Sequence, residues 1–404
     1  MRVRGSSDYT VIGKPGDGSC LNQERKAITM KVYVGIDAHS TNFTLATRRE
    51  NTDDAENIAT YSPRVSNIVK YCNAIRKEHG EDSEITVGYE AGSLGFKLKR
   101  DIEEAGIRCI ILAPTSIPGT QLNRKRRKKT DKRDAMAIAR CLINHDYSEV
   151  YTPDEEDEAV RDYIRMREDH RKQLKVIKQQ IGAFCRRHGY HYEEGRNYWT
   201  AKHLKWLRSL QMEGILKETL DEYLQSYETV FDRLELMDRR IQEIAETDKY
   251  RQSVHKLICF KGIKILTALA LIVEIGDFTR FLKAKNFTAF LGLVSAEDSS
   301  SEDHNLYGIT KQGNRFLRRL LTEAAQCFSR VTFGKSKALK ERQSGNTAET
   351  IAYADKANER LRKRYYHLVM RNRKCHNKAT TAVTRELSCF IWGMMTGNIH
   401  TALA

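Results

Sequence analysis

Val32-Tyr33-Val34-Gly35-Ile36-Asp37 decides how this chain is read. Val32 to Ile36 has the composition of a buried β-strand, and an aspartate ends it. Phe43 to Thr47 reads as a second strand and Ile58 to Tyr61 as a third. Val65 to Glu78 then repeats apolar residues at helical spacing, through Ile68, Val69, Cys72 and Ile75. Ile85 to Tyr89 is again a strand, Gly95 to Ala105 a helix with Leu98 and Ile102 inward, and Ile107 to Leu112 a further strand. A last helix spans Asp131 to His145. Three early strands followed by alternating helix and strand predict an α/β domain with a mixed sheet.

The chain changes character near residue 150. Residues 155–250 read as almost entirely helical and highly charged. Two long segments, Asp157 to His188 and Ile215 to Glu246, carry sparse apolar positions three and four apart: Leu174, Ile177 and Ile181 in one, Leu234, Met237, Ile241 and Ile244 in the other. This pattern predicts an antiparallel helical hairpin or coiled coil, or equally a solvated long-helix spacer. Residues 254–335 read as a compact helical unit with loops, and 345–404 as helical again. No proline follows Pro153, so none interrupts these helices. The expected plan is therefore α/β plus all-α. It has a flexible extension at 1–29, a catalytic α/β domain at 30–150, a helical linker at 151–250 and a helical C-terminal domain at 251–404.

The formal charge is +16 over 404 residues, which points to a polyanionic partner. The nine cysteines show no C-x-x-C pair, which argues against a structural zinc site, and their odd number argues for reduced thiols in a cytosolic setting. The longest apolar stretch, Ile265 to Val273, falls short of the ~20 residues that span a bilayer. No signal peptide is expected, since no apolar run lies near the start.

Asp37 ends one apolar strand and Glu90 ends another, in Val87-Gly88-Tyr89-Glu90. Sites in open α/β sheets form at strand C-termini. Asp131 and Asp134 are three apart at the head of a helix, hence on one face, and a helix N-terminus favours negative charge. Four carboxylates so placed suit a pair of hard cations that clamp the attacking and leaving oxygens of a phosphodiester. Each acid alone is weak evidence, because an Asp after a strand is commonly a turn residue and D-x-x-D is common on exposed helices. Their joint order is the informative feature. The run Arg124-Lys125-Arg126-Arg127-Lys128-Lys129 ends just before Thr130-Asp131 and would grip phosphates beside such a site. A second basic cluster, Arg360, Arg362, Lys363, Arg364, Arg371, Arg373 and Lys374, surrounds Tyr365, Tyr366 and His367. The cations suit nucleic acid; the tyrosines read better as core residues than as base-stacking platforms.

These motifs resemble the DEDD transposases of bacterial insertion sequences, the serine-containing recombinases that use a bridge RNA as guide. Val34-Gly35-Ile36-Asp37, Tyr89-Glu90-Ala91-Gly92 and Lys129-Thr130-Asp131-Lys132-Arg133-Asp134-Ala135 match the family's RuvC-like, RNase-H-fold domain. The resemblance implies that Asp37, Glu90, Asp131 and Asp134 bind two divalent ions, Mg2+ or Mn2+. Leu291-Gly292-Leu293-Val294, Ser299-Ser300-Ser301, Gly308-Ile309-Thr310-Lys311-Gln312-Gly313-Asn314 and Arg318-Arg319-Leu320-Leu321 match its C-terminal part. Alignment on those flanks implies Ser300 as nucleophile, through a phosphoserine link. The family's Ser-Gly is departed from, with Ser301 at the glycine position, so Ser299, Ser300 and Ser301 all stay open. From its own residues, Ser295 to Ser301 is a polar loop. Cys259-Phe260-Lys261-Gly262-Ile263-Lys264 resembles the family's helix-hairpin-helix turn, in which backbone amides hold a phosphate. By the resemblance Lys261, Lys264, Lys311, Arg318, Arg319, Arg362 and Arg364 join the basic run as nucleic-acid contacts. It further implies donor and target DNA, a guide non-coding RNA, a homodimer or homotetramer, and a cytoplasmic, nucleoid-associated protein without membrane contact.

Three other readings compete. A RuvC-like junction nuclease would use the same acids with water in place of serine. An actin-like sugar kinase or ATPase shares Gly35-Ile36-Asp37 but needs a second acidic loop in a later α/β half, where this chain is helical. A non-catalytic binding protein would not cleave DNA at all.

Overall fold

The computed structural model describes residues 30–50, 56–117, 130–300, 303–330 and 334–399. The extension at 1–29 and the basic run at 124–129 lie outside them. By internal contacts the chain divides after Val150 into two compact units.

The first unit is built on a mixed sheet ordered β3-β2-β1-β4-β5. It uses β1 (Lys31–Ala38), β2 (Phe43–Arg49), β3 (Glu56–Tyr61), helix α1 (Val65–His79), β4 (Glu84–Glu90), α2 (Lys97–Glu104), β5 (Arg108–Leu112) and α3 (Asp131–Ile143). β1 is central, antiparallel to β2 and parallel to β4, which is parallel to β5. Strand parity sorts the side chains between two cores. Val32, Val34 and Ile36 pack with Val87 and Tyr89 against Ile68, Cys72 and Ile75 of α1 and Ile102 of α2. Tyr33, Ile110 and Leu112 point the other way, onto Ile138, Cys141 and Leu142 of α3. This mixed α/β sheet, with a mostly helical remainder, fits the RuvC-like plan.

In the second unit α4 (Glu155–Arg187) and α6 (Gly214–Ala245) pack along each other. Arg167 pairs with Asp238 near one end, and Phe184 meets Tyr223 near the other, so the helices run antiparallel. The predicted positions Leu174, Ile177, Ile181 and Leu234 are buried there. Residues 188–200 are not helical, and α5 (Ala201–Ser209) follows them, so this region is less uniformly helical than its charge pattern suggests. Val160 and Ile164 of α4 and Ile241 of α6 share a core with helices beyond residue 250.

Those are α7 (Arg251–Leu257), α8 (Ile265–Ile275), α9 (Ala284–Phe290), α10 (Arg315–Ala325), α11 (Lys337–Gln343), α12 (Ala348–Tyr366) and α13 (His376–Met395). Between α9 and α10 stand β6 (Ser295–Ser300) and β7 (Asp303–Ile309), an antiparallel hairpin. The sequence read alone predicts a polar loop over Ser295–Ser301. The correction has a physical reason: backbone pairing holds the hairpin, and Ser-Ala-Glu-Asp-Ser-Ser has no apolar alternation to announce a strand. Tyr365 is buried against the core as expected, its hydroxyl 2.7 Å from His376 Nδ1. Among the described residues, no helix is long and apolar enough to cross a membrane.

Candidate metal centre and the serine hairpin

Asp37 and Glu90 inherit their placement from strand parity. Val32, Val34 and Ile36 face one core, so Gly35 and Asp37 face the α3 side; Val87 and Tyr89 do the same for Gly88 and Glu90. Gly35 stands opposite Gly88 in the parallel register, followed by Ile36 opposite Tyr89. The two acids thus follow matched positions on neighbouring strands. Both are half-buried.

The glycines let α3 lie close. A Cβ at Gly35 would sit 2.1 Å from the Ala135 carbonyl oxygen and 2.5 Å from the Ala139 nitrogen. A Cβ at Gly88 would meet the Leu142 methyls at 3.0 Å. Ala135 and Ala139 are small and fully buried at this crossing. Close approach brings the first turn of α3, with Asp131 and Asp134, to the C-terminal end of β1. The helix dipole there favours carboxylates.

The β1–β2 turn adds two groups that the sequence reading did not single out. The His39 amide donates to the Asn42 carbonyl at 2.9 Å and closes the turn. His39 Nε2 then lies 3.3 Å from Asp37 Oδ2 and 4.0 Å from Asp131 Oδ1. Asn42 Nδ2 donates to the other Asp131 oxygen, Oδ2, at 3.4 Å. Ligand atoms of Asp37, His39 and Asp131 all lie within 4.8 Å of one another. Two carboxylates and an imidazole at that spacing fit a divalent cation. Glu90 and Asp134 lie on the same side of the sheet but outside this three-residue cluster. The only sequence signal for His39 was its position two residues after Asp37 in a short turn.

Ser299 and Ser300 end β6, opposite His304 and Asp303; Ser301 lies outside the described residues. The foot of this hairpin is tightly built. Gly292 has φ +65° and Gly313 φ +89°, and a Cβ on either would stand 2.0 Å from a backbone oxygen, of Gln312 and Phe290 respectively. Arg318 donates to the carbonyls of Leu291 at 2.8 Å and Lys311 at 2.9 Å. Asn314 caps α10 by accepting from the Leu317 amide, and its Nδ2 donates to Glu274 at 2.8 Å. Glu274, with its side chain 1% exposed, also pairs with Arg165 at 2.9 Å and Arg161 at 3.3 Å.

The predicted cations divide into two groups. Arg318 holds backbone, and Arg319 pairs with Glu168 and Glu323, so both guanidinium groups have protein partners. Lys264, Lys311 and Arg364 are exposed, and Lys261 and Arg362 are half-buried. The Lys261 amide, in the turn between α7 and α8, already donates to Asn358 Oδ1 at 2.8 Å. At the foot of the hairpin an open groove of about 750 Å³ is lined by Ser295, Lys311, Arg364, Lys378, Arg385 and Glu386. Lys378 and Arg385 escaped the sequence reading because they are isolated cations on an amphipathic helix.

Residues 34–188, which contain all four acids, match the DEDD transposase family of the IS110 type. Residues 254–341, which contain the serine hairpin, match the transposase IS116/IS110/IS902 family. The transposase for insertion sequence element IS1533 of Leptospira borgpetersenii is 35% identical over 352 residues, covering 85% of this chain and 98% of that protein. The putative transposase y4qE of Sinorhizobium fredii is 33% identical over 307 residues, covering 76% of this chain and 74% of that one. The transposase for insertion sequence element IS1111A of Coxiella burnetii is 26% identical over 235 residues, or 56% of this chain and 64% of that protein. With its acids gathered on one side of the sheet and its similarity running across both units, this chain belongs to the DEDD transposases of insertion sequences, in the IS116/IS110/IS902 family.

Proposed function

We propose that this insertion-sequence transposase cuts and rejoins DNA strands with divalent metal held by Asp37, Glu90, Asp131 and Asp134, with Ser300 as nucleophile and a bridge RNA as guide. The observation that carries the metal reading is the meeting of Asp37 and Asp131 ligand atoms at the end of β1. Divalent metal, when bound, polarises a phosphate oxygen and stabilises the charge that develops on it. The chain's own residues do the rest. The strand ends and the first turn of α3 hold the carboxylates in place. The serine oxygen bonds to phosphorus as the bond to the leaving sugar oxygen breaks, leaving protein joined to DNA. A second strand-end hydroxyl then displaces the serine and rejoins the strand.

The exposed Lys264, Lys311 and Arg364, with Lys378 and Arg385 in the groove, would neutralise phosphates of DNA or guide RNA. Arg124–Lys129 would grip the backbone near the acids. Several active sites are needed to join DNA ends, which supports a dimer or tetramer. The domain plan of extension, catalytic domain, helical linker and C-terminal domain belongs to this same reading, as do a coiled-coil role for α4 and α6 and a helix-hairpin-helix role for α7 and α8.

The test uses DNA carrying the element's ends, incubated with full-length protein and Mg2+ or Mn2+ and resolved under denaturing conditions. Cleavage that needs metal, is lost in Asp37→Asn and Asp131→Asn, and leaves protein covalently on DNA supports the reading. Cleavage that survives in Ser300→Ala without any adduct in the wild type supports the junction nuclease that uses water. Sequencing of nucleic acid that co-purifies from the host tests the guide: one discrete RNA encoded beside the gene supports it, and non-specific nucleic acid contradicts it.

A further inference from the structure

The β1–β2 turn presents a nitrogen donor to a site otherwise made of oxygens. We infer that His39 is itself a metal ligand, and that its Nε2 makes the site prefer manganese to magnesium. This rests on reading Asp37 and Asp131 as metal ligands.

The geometry supports direct ligation. Donors bound at ~2.1 Å to one octahedral ion stand about 3.0 Å apart when adjacent and about 4.2 Å apart when opposite. His39 Nε2 lies 3.3 Å from Asp37 Oδ2, near the first separation, and 4.0 Å from Asp131 Oδ1, near the second. Asn42 engages Asp131 through Oδ2, so Oδ1 is the oxygen turned to His39. The turn that aims both side chains is closed by its own backbone bond, from the His39 amide to the Asn42 carbonyl. The His39 side chain is 43% exposed, so the imidazole lies at the surface and is not a core residue. Magnesium keeps to oxygen donors, whereas a site with an imidazole ranks transition metals above it. A histidine that only oriented Asp37 by a hydrogen bond would leave the choice of metal unchanged.

The test loads the full chain with Mn2+ and looks for coupling of the manganese electron spin to 14N by pulsed electron paramagnetic resonance. Nitrogen coupling is expected in the wild type, changing to a 15N pattern when the protein is grown with 15N-histidine. In His39→Gln the coupling should vanish. Mn2+ affinity should fall about tenfold or more while Mg2+ affinity moves less than about twofold. Bound Mn2+ without nitrogen coupling, coupling that persists in His39→Gln, or equal losses for both metals would overturn the role of His39 and leave the acid site standing. Failure of the wild type to bind Mn2+ in a manner sensitive to Asp37→Asn would overturn the metal reading itself. Should His39→Gln fail to fold, His39→Asn takes its place, and nitrogen coupling that persists in it would overturn the role of His39.

Discussion

Gly35 of β1 lies directly opposite Gly88 of β4, and the two missing side chains open the trough in which α3 lies. The same V-G-x-acid pattern on both strands therefore does two things. Its glycines admit the helix that carries Asp131 and Asp134, and its acids end the strands at matched height.

Gly35→Ala should be the more damaging of the two glycine changes. Its methyl meets rigid backbone at 2.1 Å, whereas a methyl at Gly88 meets flexible leucine ends at 2.9 and 3.0 Å. Overpacking of this kind costs about 1–3 kcal/mol. Urea midpoints should fall for Gly35→Ala well below those for Gly88→Ala, and Mn2+ binding should weaken in the first. Equal midpoints would contradict the close approach of α3 to β1.

Asp37→Asn and Asp131→Asn should each lower metal-dependent cleavage by about 100-fold or more, at least as much as losing an outer-shell partner. The unfolding transition should stay near that of the wild type, because both side chains sit at the rim of the sheet and not in its core. Circular dichroism on the same samples separates a lost ligand from a lost fold.

Glu274→Ala should destabilise the second unit strongly. It leaves Arg161 short of its buried partner and removes the acceptor of Asn314, so a loss of about 3–5 kcal/mol is expected. Arg161, whose guanidinium burial already pushes downward in pKa, feels the change most. Denaturant unfolding measures it; a loss under about 1 kcal/mol would contradict the network.

Arg318→Ala should loosen the hairpin foot, since the Leu291 and Lys311 carbonyls lose their donors. Leaving such groups unsatisfied costs about 1–3 kcal/mol. Hydrogen exchange at Thr310 and Lys311 should quicken while exchange in β1 and β4 stays unchanged.

Cysteine chemistry gives an independent check on the first unit. Burial pushes the Cys72 and Cys109 thiols up to about 12, so neither reacts readily near pH 8 in the folded protein. Cys375 is exposed and should label first among the described cysteines. Rapid labelling of Cys72 would contradict the packing of α1 on the sheet.

The placement of Asp37, Glu90, Asp131 and Asp134 on one side of the sheet was legible because strand parity and helix spacing are sequence properties. Asp37 and Glu90 each close an apolar run, and Asp131 and Asp134 share a helix face, so their side follows once the register is known. The two long helices were legible for the same reason, through Leu174, Ile177, Ile181 and Leu234. The hairpin at Ser295–Ile309 was not. Its stability comes from backbone pairing and from a foot built by Gly292, Gly313 and Arg318, none of which imposes a period. Charge gave no view of partners there either: Arg318 and Arg319 read as a phosphate grip, and in the fold their guanidinium groups also reach carbonyls and Glu168 and Glu323. A sequence counts cations without showing their partners. His39 and Asn42 were missed because a four-residue turn gives no pattern to read, only a position.

The most direct measurement of the proposed chemistry is to trap the reaction on DNA, digest the protein with trypsin and nuclease, and map the modified residue by mass spectrometry. Trypsin releases Asn286 to Lys311 as one peptide, with Ser299, Ser300 and Ser301 inside it. The account predicts a phosphodiester on Ser300, formed only with divalent metal and absent in Asp37→Asn. Metal-dependent cleavage by the wild type with that peptide recovered unmodified would contradict it.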